Sequence, residues 1–150
     1  MDKTYESLCA ELDALLRGVP HAVSNLANAS ALIFSHVERL NWAGFYLAED
    51  GRLVLGPFQG KPACIEIPFG KGVCGTAAAE KRTVVVPDVR LFAGHIACDS
   101  ASLSEIVIPL TRDGELFGVL DLDSAETGRF SAADAEGLEK AAGIITGHCF

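Results

Sequence analysis

The apolar pattern of this chain changes period at Asn41, and that change limits which folds are open to it. Before it, Leu8, Leu12, Leu15 and Leu16 recur at helical spacing and predict an amphipathic helix ended by Gly18-Val19-Pro20. A second helical pattern places Val23, Leu26, Ile33, Phe34 and Val37 on one broad face. From Asn41 onward the period is two. Trp42–Leu47 reads as a strand, Glu49-Asp50-Gly51 as a turn into a second strand near Leu53–Phe58, and Cys64–Ile67 as a short third. Phe69-Gly70-Lys71-Gly72 opens an Ala-rich helix over Val73–Lys81, and Thr83–Val86 is a β-branched strand stopped by Pro87. Asp88–Ser102 has no period and predicts a long loop with one helical turn, a length that compact domains reserve for function or disorder. Strands resume at Glu105–Leu110 and Leu116–Asp123 around the Asp113-Gly114 turn, and Ser131 with Asp134 announces a capped final helix carrying Leu138, Ile144 and Ile145.

Hairpin connections dominate this order. They predict a single α+β domain over residues 1–150, with a largely antiparallel sheet and its helices segregated to one face. At 150 residues and 49% hydrophobic content the chain can bury a full core, so it needs no disulfides to fold. Twelve basic against twenty acidic residues leave a net charge of −8, which argues against nucleic acid or anionic lipid as partner. The N-terminus lacks the apolar core of a signal peptide, and no apolar stretch is long enough to span a bilayer. The expectation is a cytoplasmic protein with no membrane partner.

In that compartment a group of cysteines has no structural use as a disulfide. Cys64, Cys74 and Cys98 nevertheless fall within one 35-residue stretch, which points to thiol redox chemistry. Nine residues separate the first two and 23 the last two, with no Cys-x-x-Cys or His-x-x-x-His, so neither a metal nor any other cofactor is expected. Cys9 and Cys149 suit inert buried thiols, whereas Cys98 sits between Ala97 and Asp99 in a polar loop. His95, three residues before it, is a base or a bystander.

Two strands carry unusual faces. Alternation puts Phe117, Val119, Asp121 and Asp123 together, against Leu116, Leu120 and Leu122, as if a pocket rim ended in two acids. Trp42, Gly44 and Tyr46 share another face: either a core aromatic pair, or a wall with a notch at Gly44 where a ligand could lie. Gly70-Lys71-Gly72 either offers backbone amides to a carboxylate or only serves a turn.

Taken together, Asn41–Tyr46, Gly72–Ala78, His95–Ser100, Ser104–Val107 and Gly118–Ser124 resemble the free methionine-R-sulfoxide reductases, which are built on a GAF domain. The resemblance implies Cys98 as nucleophile, Cys64 as resolving cysteine, and Cys74 as a third thiol that can pair with Cys98 or take part in recycling. It implies Glu105, Asp121 and Asp123 as pocket acids and Trp42 and Tyr46 as an aromatic wall. It further implies free methionine sulfoxide as substrate, thioredoxin as reductant and a homodimer as assembly. The residue types fit the reaction: a thiolate attacks the sulfoxide sulfur, a protonated carboxyl donates to the departing oxygen, and a second thiol condenses with the resulting sulfenic acid. Crowded carboxylates raise one another's pKa, so the cluster can supply both a charged and a protonated acid. Which acid plays which part, and whether Cys64 or Cys74 resolves first, stays open here. A GAF-type small-ligand sensor and a thiol redox switch are the competing readings, and neither employs the three acids.

Overall fold

The computed structural model describes residues 2–94 and 101–150. Its elements follow the expected order: helices α1 (Lys3–Leu16) and α2 (Ala22–His36), strands β1 (Trp42–Glu49), β2 (Arg52–Gly60) and β3 (Glu66–Pro68), helix α3 (Gly72–Glu80), strand β4 (Val84–Val86), a 3-10 turn at Val89–Leu91, strands β5 (Ser104–Arg112) and β6 (Glu115–Ser124), and helix α4 (Ala132–Cys149). Six strands form one sheet in the order β3-β2-β1-β6-β5-β4, and every neighbouring pair is antiparallel. The edge strands are three residues each, which limits the unpaired backbone offered to other chains. Among the described residues no helix is long and apolar enough to cross a membrane.

The helices do not keep to one face. Ala43, Phe45, Ile106, Ile108, Leu120 and Leu122 face α1, α2 and α4, while Trp42, Tyr46, Val107 and Val119 face α3. The central strands are apolar on both sides, so α3 must cover the second face. Two sequence assignments change with this arrangement. Val23 lies at the exposed start of α2 rather than on its buried face, because the face is set by Leu26, Ala29 and Ile33. Phe117 leaves the acid-bearing face: Leu110 pairs with Gly118 and Thr111 with Leu116, so one residue of β6 bulges out of register. Its ring turns to the helical side and stacks on Phe150 with centroids 4.9 Å apart.

The α4 cap is the one the sequence announces: Ser131 and Asp134 bond reciprocally. Asp134 also accepts a 2.6 Å hydrogen bond from the Tyr5 hydroxyl, tying α1 to α4 across 129 residues. That bond pins the Tyr5 ring over Gly137, where an added Cβ would stand 2.2 Å from the ring carbon Cγ. Alanine in a helix interior normally gains about 1 kcal/mol over glycine. Here Gly137→Ala is expected instead to destabilise the fold, since overpacking a buried contact costs about 1–3 kcal/mol. Urea unfolding checks the sign, and a midpoint above that of the wild type would contradict this packing.

Candidate active site

Sheet register brings the acids together. Across β5, β6 and β1, Glu105 stands opposite Asp123 and Asp123 opposite Trp42; one pair further along, Val107 stands opposite Asp121 and Asp121 opposite Gly44. Residues directly opposite in neighbouring strands share a face, here the face covered by α3. From that helix the Cys74 thiol approaches Glu105 Oε2 at 3.8 Å. A sulfur of Cys74 and one carboxylate oxygen each of Glu105 and Asp121 all lie within 4.8 Å of one another. Trp42, Tyr46, Cys74, Glu105, Asp121 and Asp123 are all buried.

Burying three carboxyl groups in one place is expensive unless protons or a cation neutralise them. Among the described residues no ion pair reaches Glu105 or Asp121, and Asp121 Oδ1 has no hydrogen-bond partner. Burial, followed by the charges of Asp123 and Glu105, pushes the Asp121 carboxyl well above the usual aspartate range. Burial, and then the negative field of Asp121, Glu105 and Asp123, likewise pushes Cys74 up and holds it as a thiol. Tyr46 is raised by the same two causes and keeps its proton. The thiol and two carboxylates form a donor set that a zinc ion could use. A metal there would have to displace protons that burial and mutual repulsion hold in place.

The aromatic wall has three rings rather than two. Trp42 stacks on Tyr46 at 5.9 Å and on Phe58 of β2 at 5.1 Å. Phe58 pairs with Gly44 across β1 and β2, and a Cβ at Gly44 would lie 2.3 Å from the Phe58 Cβ. The absent side chain therefore makes room for Phe58, and the notch expected at Gly44 is filled. Reading β1 alone misses this, since only the pairing with β2 shows what stands beside the glycine.

Gly70-Lys71-Gly72 serves chiefly as a turn. The Gly70 amide donates to Gly75 O at 2.8 Å and the Lys71 amide to Pro68 O at 3.2 Å, so neither is spare for an anion. Cys64 precedes β3 instead of lying in it, and it is disulfide-bonded, whereas Cys9, Cys74 and Cys149 are free thiols. His95 and Cys98 lie outside the described residues. The described residues on either side of that stretch meet at the acid end of the sheet: Val89 N donates to Leu103 O at 2.8 Å, and Leu103 N to Ser124 O at 2.8 Å. Asn41, next to Trp42, reaches Ser102 Oγ at 3.0 Å.

Residues 9–146 match the GAF domain family. The chain is 51% identical to the free methionine-R-sulfoxide reductase of Escherichia coli, over 93% of this chain and 86% of that protein. It is 47% identical to the Saccharomyces cerevisiae protein of the same name, over 99% and 87%. Among solved structures, the free methionine-R-sulfoxide reductase from Neisseria meningitidis in complex with its substrate superposes with a TM-score of 0.94 at 42% identity, covering 99% of this chain and 91% of that one.

Proposed function

The chain belongs to the GAF domain family and, within it, to the free methionine-R-sulfoxide reductases, and from that premise we propose how its residues reduce free L-methionine-R-sulfoxide to methionine. The observation that carries the reading is the trio Glu105, Asp121 and Asp123, buried beside Trp42 and Tyr46, with no ion pair on Glu105 or Asp121 among the described residues. Such a site calls for a cation with an apolar arm. The α-ammonium of a free amino acid supplies the charge, and the methyl end of its side chain suits the rings.

In this reading the Cys98 thiolate attacks the sulfoxide sulfur, and Asp121, held protonated by burial and its acid neighbours, donates to the oxygen. Methionine leaves and Cys98 becomes a sulfenic acid. The Cys64 thiol condenses with it, releasing water and forming a disulfide. Two protein thiols are oxidised for one sulfoxide reduced, and an external dithiol restores them. Cys64 is favoured over Cys74 as the resolving thiol because Cys64 is the one found disulfide-bonded, while Cys74 is free and held protonated. Thioredoxin as the dithiol, a homodimer as the assembly and the cytoplasm as the compartment complete the reading.

The test is an assay of the purified protein with resolved sulfoxide epimers and dithiothreitol. Methionine release is expected from the free R epimer alone, and Cys98→Ser should abolish it. Turnover of neither epimer would favour a ligand sensor on the same fold.

A further inference from the structure

Trp42 and Tyr46, buried on the acid-bearing face of the sheet, also hold the backbone that carries Cys64. Residues 61–65 connect β2 to β3 without regular secondary structure, and Pro62 has no amide to donate. Three of the five carbonyls are nevertheless fixed from outside the segment. The Trp42 indole Nε1 donates to Lys61 O at 3.0 Å, the Tyr46 hydroxyl donates to Cys64 O at 3.0 Å, and the Leu55 amide of β2 donates to Ile65 O at 2.8 Å.

We infer that Tyr46, seconded by Trp42, is a positioning residue for the resolving thiol: its hydroxyl fixes the Cys64 backbone so that Cys64 can reach the oxidised nucleophile. This rests on the proposed roles of Cys98 and Cys64. A disulfide forms only when two Cα atoms come within about 7 Å and the Cβ vectors converge. A connection without regular secondary structure meets that demand only if something rigid holds it. Tyr46 is suited to the task because it is fully buried in β1 and stays protonated, hence a donor, across the range in which thiols react. The wall therefore serves both halves of the reaction. Its ring faces substrate during reduction, and its hydroxyl serves the step in which the Cys98 sulfenic acid and the Cys64 thiol form a disulfide and water.

The test separates the two halves in one experiment. Fully reduced wild type and Tyr46→Phe are mixed with one equivalent of free methionine-R-sulfoxide. Quenched samples are read for methionine, for dimedone-trapped Cys98 sulfenic acid and for the disulfide by mass spectrometry. Phenylalanine keeps the ring and removes only the hydroxyl. The ratio of disulfide closure to methionine release is expected to fall about three- to tenfold, as the net worth of one hydrogen bond implies, with the sulfenic acid accumulating. A general loss of packing would slow both steps alike and leave the ratio unchanged, and an unchanged ratio overturns the inference. Should Tyr46→Phe not fold, Ala63→Gly loosens the same segment with both rings in place and must lower the ratio in the same way. Absence of methionine release from wild type would instead strike at the reductase reading itself, so the two failures are distinct.

Discussion

Replacing Asp121 by asparagine is expected to cut kcat at least a hundredfold and, at neutral pH, to raise the melting temperature. The loss of rate follows from the proposed proton transfer: general acid catalysis contributes about 10²–10⁴-fold, and an amide of the same shape has no such proton to give. The gain in stability follows from linkage. Burial and two acid neighbours raise the folded-state pKa of Asp121 well above its ordinary value. Between the unfolded and folded pKa values the native state therefore binds more protons, and stability falls as pH rises through that window. Asparagine removes the titration and with it the penalty. Each 1 kcal/mol recovered raises the melting temperature of a chain this size by about 2–4 °C. Wild type should also lose activity as pH rises through the raised pKa, a limb absent from whatever activity the variant keeps. Measured kcat profiles and thermal melts across pH check both halves. A variant that is slower and also less stable at neutral pH would mean that Asp121 is an ordinary structural carboxylate.

That combination was only partly legible in the sequence. Local patterns with local causes read through directly: the Ser131–Asp134 cap, and the Asp50-Gly51 and Asp113-Gly114 turns, whose four residues all take positive φ. The acid pair of β6 was visible because period two survives from Val119 to Asp123. What failed was whatever depends on a partner strand. The bulge that sends Phe117 to Phe150 exists only in the pairing with β5, and Phe58 enters the wall only because β2 sets it against Gly44. A stronger signal lies in β1 and β6 themselves: both are apolar at consecutive positions, and a strand apolar on both faces needs cover on both, which is what α3 supplies. The link from Tyr46 to Cys64 joins residues 18 apart through a backbone carbonyl, a kind of contact that side-chain patterning does not encode.

The second large effect concerns the substrate rather than the protein. N-acetylation of methionine-R-sulfoxide is expected to lower kcat/KM by about 10²–10³, because it turns the α-ammonium into a neutral amide while leaving the sulfoxide untouched. Removing one member of a buried ion pair costs about 3–5 kcal/mol, most of it from the charge left without a partner. Glu105 is buried beside Asp121, which holds its proton, and among the described residues Glu105 has no ion-pair partner to fall back on. The methyl ester of the same amino acid keeps the ammonium and loses the carboxylate, so its rate should fall far less. Together the two analogues distinguish recognition of the cation from simple crowding of a larger ligand. Equal kcat/KM for the acetylated and free substrates would mean that the acids bind no ammonium. Their crowding would then serve proton supply alone, and a methionine sulfoxide within a peptide chain would be as acceptable to this site as the free amino acid.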